Sequence, residues 1–202
     1  MIYFLVLTSL LPRNDSNFRC NHSDRKFFVR SATFDTTQRT IRSQHQQFTE
    51  QLPEFDAFVT ASGSGGTHAG IVAGMAALRH PTKVIGISTR QPKAFQEKHI
   101  RDLAEKTLNR VIGDDSVKLK EDSVYVKDEY VGEGYSLPTD GMKEAVTLFA
   151  RTEGILLDPV YSGKAAAGLI DMARTGSFEK GSDILFLHTG GAPSLYHYQP
   201  LN

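Results

Sequence analysis

Six consecutive residues, Ser62, Gly63, Ser64, Gly65, Gly66 and Thr67, carry the densest chemical signal in the chain. Glycines let successive backbone N–H groups turn toward one point without a Cβ clash, and the three hydroxyls add donors. An apolar run over residues 55–61 precedes them and reads as a buried strand. A small-residue segment over 68–78 follows, with the length of a helix. Strand, glycine turn and helix start together present free amides and the positive end of a helix dipole, which suits a phosphate. The same run also suits a tight turn that lets a helix pack closely on a sheet. It is not a nucleoside-triphosphate loop, because no Gly-Lys-Ser/Thr follows. Nor is it a dinucleotide fingerprint, because the glycines miss that spacing and the next strand ends in Ser88-Thr89-Arg90 without an acid. A small phosphorylated cofactor fits better.

Other side chains lie where chemistry would need them. Thr189 follows an apolar run and precedes Gly190 and Gly191. Its hydroxyl suits a ring nitrogen or a carboxylate, or a bond to its own turn. Tyr135 sits in an aromatic glycine loop before Pro138, and Tyr161 follows Asp158-Pro159. Singly, each reads as a packed surface aromatic. As a pair entering one crevice they would be proton-transfer groups, since a phenol beside a cationic or electron-poor ring can give or take a proton. Lys164 either snorkels from a helix surface or meets a substrate carboxylate. His188 is either a core histidine or a neighbour of a cofactor ring.

Composition narrows the setting. The chain has 202 residues, and its 23 basic and 23 acidic side chains balance, so charge gives no push toward nucleic acid or an anionic membrane. One cysteine, Cys20, makes neither an internal disulfide nor a thiolate metal cluster, which points to a reducing compartment such as the cytoplasm. The histidines show no metal spacing. No apolar run reaches membrane-spanning length. Residues 1–11 lack a basic n-region and a small-residue cleavage site, so a buried strand or an unstructured leader is expected there rather than a signal peptide.

The elements that must hold these groups follow from periodicity. After the 55–61 strand and 68–78 helix come a strand over 83–88, a long amphipathic helix over 94–112 with Gly113 at its end, and a short strand within 117–126. Thr139 is expected to cap a helix that ends near Glu153-Gly154, Ser162 to cap a helix over 163–175 stopped by Gly176, and residues 183–188 to form a last buried strand. Before residue 53 the text is different, with a strand expected over 26–29 and a polar amphipathic helix over 39–51. Short apolar strands alternating with helices imply an α/β, three-layer domain with a mainly parallel sheet, whose ligand lies beyond the carboxyl ends of the strands.

The words ASGSGGTHAG, GEGYSLPTDG, ARTEGILLDPVYSGKAAAGLI and LFLHTGGAPSLY, in that order, make the stretch from Phe55 to Tyr198 resemble the C-terminal part of one enzyme family. It is the 1-aminocyclopropane-1-carboxylate deaminase and D-cysteine desulfhydrase family of fold type II pyridoxal-phosphate enzymes. The resemblance implies an incomplete member of that fold, with an atypical segment over 1–52 and a partial cofactor-binding domain over 53–202. It implies pyridoxal 5'-phosphate as cofactor, with its phosphate held by residues 62–67 and its ring nitrogen facing Thr189 beside Gly190. It also implies that Tyr161 and Tyr135 are the two active-site tyrosines. Ser162 and Thr189 stand where the deaminase branch tends to carry an acid and a leucine, so the desulfhydrase branch is the closer likeness. A neutral hydroxyl at the ring nitrogen suits loss of a good thiol leaving group.

Family members carry a lysine bonded to the cofactor in a Gly-Asn-Lys context well before the phosphate loop, and no such motif occurs here. The resemblance therefore leads to three expectations: a truncated lyase converting D-cysteine to pyruvate, hydrogen sulfide and ammonia; a deaminase-like enzyme; or an inactive chain that binds or regulates a full-length relative. The expected partners are a small amino acid and, as the resemblance implies, a second copy or a full-length relative, without nucleic acid or membrane. An unpaired sheet edge or exposed apolar surface is expected where the N-terminal half of the relatives would lie.

Overall fold

The computed structural model describes residues 2–7, 29–32, 55–111 and 118–198. Their elements run β1 (Ile2–Leu7), β2 (Val29–Ala32), β3 (Ala57–Ser62), α1 (Gly66–Ala77), β4 (Lys83–Ser88), α2 (Lys93–Val111), β5 (Tyr125–Lys127), α3 (Asp140–Glu153), α4 (Ser162–Arg174) and β6 (Ile184–His188). A 3-10 turn over Ala192–Tyr196 closes the order. One sheet takes in the strands in the order β2-β1-β6-β3-β4-β5. The four strands β6, β3, β4 and β5 are parallel, while β1 lies antiparallel to both β6 and β2.

Alternation along the strands builds two cores. Ala57, Val59, Ile85, Ile87, Ile184 and Phe186 face α3 and α4, and Phe58, Val84, Leu185 and Leu187 face α1 and α2. Successive strand side chains point to opposite faces, so apolar residues at every position are what a sheet covered on both sides requires. Helix α4 is buried at every position from Ser162 to Leu169, and its Ala and Gly residues allow that approach: a Cβ on Gly168 would stand 2.8 Å from Cδ1 of Ile87. Helix α3 opens as expected, with Thr139 Oγ1 accepting from the N–H of Met142 at 3.2 Å, and closes on Gly154 at φ 66.

Several expectations shift. Helix α1 starts at Gly66, two residues early, because Gly65 takes the left-handed conformation at φ 91 and turns the chain into the helix. The strand expected within 117–126 shrinks to Tyr125–Lys127, the three residues that reach β4. Ser162 does not cap α4. The N-cap position is Tyr161, without a side-chain cap bond, and the free amides there are taken by Asp158. Residues 2–7, where a buried strand or a leader is expected, form the strand β1, which pairs with β6. The 26–29 strand appears as β2, displaced to Val29–Ala32; the 39–51 helix and Gly113 lie outside the described residues.

Candidate functional site

The parallel strands deliver four loops to one end of the sheet. β3 and β4 pair from Ala57↔Lys83 to Ser62↔Ser88, and the N–H of Thr89 donates to the carbonyl of Ser62 at 3.1 Å, so the two strand ends are level and joined. β3 pairs with β6 from Ala57↔Ile184 to Val59↔Phe186. Thr189 is the first residue beyond β6, at the same end of the sheet as the glycine turn beyond β3.

The glycine turn is shaped from below. Ser62 is fully buried, and its hydroxyl contacts His68 Nδ1 at 3.0 Å and accepts from Gln96 Nε2 at 2.9 Å. It therefore belongs to the floor of the turn and does not present a donor at its rim. Gln96 also donates to the Gly63 carbonyl at 3.0 Å, and His99 Nε2 meets the Ser64 carbonyl at 3.0 Å. A trans peptide points its N–H opposite to its C=O. With those two carbonyls turned to α2, the amides of Ser64 and Gly65 face the other way. Ser64, Gly66 and Thr67 are exposed, no side chain caps α1, and its first turn holds no acid. A Cβ on Gly66 would meet nothing within 4 Å. Outward amides, an uncapped helix start and open space in front of it fit an anionic phosphate.

The floor holds a histidine that sequence reading passed over. Burial of His68 pushes its pKa down to about 4, so the ring is neutral. Gly86 makes room for it, since a Cβ there would stand 2.2 Å from Nδ1. His68 Nε2, Gln96 Oε1 and the Thr89 hydroxyl are all buried without hydrogen-bond partners among the described residues. The available signal was positional: His68 lies in the first turn of the helix after the glycines, and Thr89 is the first residue beyond β4.

The two tyrosines come together. Their hydroxyls are hydrogen-bonded to each other, with ring centroids 5.8 Å apart in an edge-on arrangement. Tyr161 also lies against the glycine turn: a Cβ on Gly63 would stand 2.9 Å from Tyr161 Cε1 and 3.2 Å from Thr89 Oγ1. The bond to Tyr135 and desolvation raise the Tyr161 pKa to about 12, with the Asp158 charge adding and Arg90 opposing. As it stands Tyr161 is a protonated phenol. Arg90 follows Thr89, and its guanidinium lies 5.6 Å from the centre of the Tyr135 ring.

Neither reading of Lys164 survives. It is fully buried and donates to the carbonyls of Val131 at 2.6 Å and Gly134 at 2.9 Å, tying down the loop that carries Tyr135. The next residue, Ser136, holds φ 67, and its hydroxyl is bonded to that of Tyr198. Asp158 organises the other tyrosine. Its carboxylate accepts from the N–H groups of Val160, Tyr161 and Ser162 at 2.9, 2.7 and 2.7 Å and from the Ser162 hydroxyl at 2.6 Å. Gly191, at φ 92, packs on it, since a Cβ there would stand 2.8 Å from Asp158 Cβ. Thr189 is exposed, Gly190 turns at φ 97, and His188 is a buried histidine whose pKa desolvation lowers. Among the described residues no cluster of side chains could hold a metal ion. No described helix is long and apolar enough to cross a membrane.

Comparisons with known proteins give the family. Residues 17–190 match the family model described as pyridoxal-phosphate dependent enzyme. The D-cysteine desulfhydrase of Salmonella typhi is 40% identical over 151 residues, covering 75% of this chain and 44% of that protein. The D-cysteine desulfhydrase of Salmonella newport (strain SL254) gives the same figures. A solved structure titled as an ACC deaminase homologue superimposes with a TM-score of 0.65 at 34% identity, covering 77% of this chain and 46% of that one. The chain thus spans about half the length of the relatives it matches.

Proposed function

The chain belongs to the pyridoxal-phosphate dependent enzyme family, and on that premise we propose that it supplies the phosphate cradle and the proton-handling tyrosines of a D-cysteine desulfhydrase-type lyase. The overall reaction would take D-cysteine and water to pyruvate, hydrogen sulfide and ammonia. The observation that carries the reading is the bond between the Tyr135 and Tyr161 hydroxyls, with the Tyr161 ring against Gly63 of the glycine turn.

The amides of the turn and of the start of α1 would hold the cofactor phosphate, with Ser64 and Thr67 adding exposed hydroxyls. Thr189, just beyond β6 at the same end of the sheet, would give its hydroxyl to the pyridine nitrogen. When bound, the cofactor supplies an electron-withdrawing ring that acidifies the substrate's α-carbon. Tyr161 enters protonated, so its task would be to donate a proton, as to a departing thiolate, with which that proton leaves. Tyr135 would pass its own hydroxyl proton to Tyr161 through the hydroxyl pair, and solvent at the exposed Tyr135 would restore it. Asp158 orients Tyr161 through its backbone, and Lys164 orients Tyr135 through the carbonyls of its loop. Ser162 supports the desulfhydrase branch over the deaminase one: its hydroxyl is committed to Asp158 and puts no carboxylate beside Tyr161.

The test has two arms. Purified chain is titrated with pyridoxal phosphate by calorimetry, and thiol release from D-cysteine is then followed in the wild type, Tyr161→Phe and Tyr135→Phe. Saturable cofactor binding is the expected result, with thiol release that is slow for want of a lysine in a Gly-Asn-Lys context and that either substitution lowers further. No cofactor binding, or turnover indifferent to both tyrosines, would reject the proposal. Binding without turnover would favour a chain that docks on a full-length relative.

A further inference from the structure

We propose that Gln96 is a positioning residue for the cofactor phosphate, holding the glycine turn from α2 so that its amides face outward. This rests on the phosphate-cradle reading above and names the side chain that keeps the cradle in its binding form.

Gln96 breaks the pattern of its own helix. Positions 96, 100, 104 and 108 form one buried stripe along α2, and after Gln96 that stripe is Ile100, Ala104 and Leu108. An aliphatic side chain at 96 would continue it. A fully buried carboxamide stands there instead, and its Oε1 has no hydrogen-bond partner among the described residues. A buried amide with an unsatisfied oxygen is a poor choice for packing alone, so its value lies in what the nitrogen does. Nε2 donates to Ser62 Oγ at 2.9 Å and to the Gly63 carbonyl at 3.0 Å. A carbonyl only accepts, so the nitrogen is the end of the amide that faces the turn. Ser62, accepting from Gln96, keeps its own hydrogen for His68 Nδ1 at 3.0 Å. One side chain of α2 thus ties down the end of β3 and, through Ser62, the first turn of α1.

The peptide between Gly63 and Ser64 is the part that needs such a tie. Gly63 has no Cβ, so its own side of that peptide offers little resistance to rotation. The N–H and the C=O of a trans peptide point in opposite directions. With the Gly63 carbonyl held by Gln96, the Ser64 N–H faces the open side of the turn. Turned over, the same peptide would set a carbonyl oxygen against the phosphate. His99, three positions on and on the same side of α2, meets the next carbonyl, that of Ser64, at 3.0 Å. It is only half-buried, whereas the bonds of Gln96 are shielded from water and electrostatically stronger.

The experiment compares pyridoxine 5'-phosphate with pyridoxine, neither of which has an aldehyde to react with surface lysines. The ratio of their affinities for the purified chain reports the phosphate alone. Calorimetry gives that ratio for wild type, Gln96→Met, Gln96→Glu and Leu108→Ala. Gln96→Met keeps the length and loses the donors, and Gln96→Glu keeps the shape with at most one hydrogen to donate. Leu108→Ala weakens the same stripe of α2 farther from the turn. Wild type should prefer the phosphate ester. Gln96→Met should lower that preference by about tenfold, the usual weight of a hydrogen bond to a charged group, and Gln96→Glu should lower it as well. Leu108→Ala should leave it unchanged, and affinity for pyridoxine should not move in any variant. A folded Gln96 variant that keeps the wild-type preference, or an equal loss in Leu108→Ala, overturns the assignment. So does an equal fall in affinity for both compounds, which would make Gln96 a packing residue. A wild-type chain that binds the two equally rejects the phosphate cradle itself, and this role with it.

Discussion

Lys164 Nζ stands 2.9 Å from the carbonyl oxygen of Gly134, the residue before Tyr135. A buried ammonium is costly to desolvate, and here its compensation comes from two loop carbonyls, with no acid paired to it among the described residues. The contact joins α4, which begins beside Tyr161, to the loop that bears Tyr135.

Lys164→Met should therefore lower stability by about 1–3 kcal/mol, as the carbonyls of Val131 and Gly134 lose their donor. D-cysteine turnover should fall further than Tyr135→Phe alone predicts, because the whole loop is released. Urea unfolding and steady-state kinetics measure both. A variant as stable and as active as the wild type would remove Lys164 from the positioning of Tyr135.

Asp158→Ala removes the acceptor of three amides and one hydroxyl at the entry to α4. The expected loss is about 3 kcal/mol, more than an ordinary helix cap because the group is charged and buried. Asp158→Asn keeps one carbonyl oxygen and should recover part of it. Equal unfolding free energies for the two variants would show that packing, not hydrogen bonding, matters there.

Gly63 and Gly66 should respond differently to alanine. A Cβ on Gly63 meets the Tyr161 ring at 2.9 Å, whereas one on Gly66 meets nothing within 4 Å. Gly63→Ala should displace Tyr161 and cut turnover. Gly66→Ala should leave stability within about 0.5 kcal/mol of wild type. The same assays decide the matter, and an active Gly63→Ala would contradict the close approach.

His68 gives the fold a pH dependence. Burial lowers its pKa from 6.5 to about 4, so the unfolded chain takes up a proton that the folded chain refuses. Stability from this residue is complete above about pH 6.5, declines as the pH falls, and levels off below about pH 4. The total loss is on the order of 3 kcal/mol. The difference in unfolding free energy between wild type and His68→Asn should follow that curve. A pH-independent difference would show that His68 is not buried neutral.

Much of the local structure was legible in the chain. Residues 83–88 are β4 as read, because a short β-branched run bounded by Thr82 and Thr89 has few other uses. Thr139 caps α3 because its hydroxyl accepts from the N–H of Met142, and Asp140 places an acidic side chain in the first turn. Less was legible where the partner is not periodic. Asp158 replaces Ser162 as the cap of α4 because the 158–161 turn brings the carboxylate back onto the amides, and a propensity for serine does not contain that turn. Ser62 was read as a rim donor because hydroxyls in a glycine run suggest one. Its burial depends on His68 and on Gln96, which lies 34 positions away.

By itself, the order of residues determined the alternation of strands and helices, the glycine turn between β3 and α1, and the family whose words it shares. Those rest on interactions between near neighbours: side-chain period, backbone freedom and helix capping. The tertiary structure alone decided that the hydroxyls of Tyr135 and Tyr161 meet, that Lys164 turns inward to hold a loop, and that Arg90 lies on an aromatic ring. Each joins residues brought together only when the sheet pairs in register and α4 packs across it. No local preference of the chain encodes such a distance.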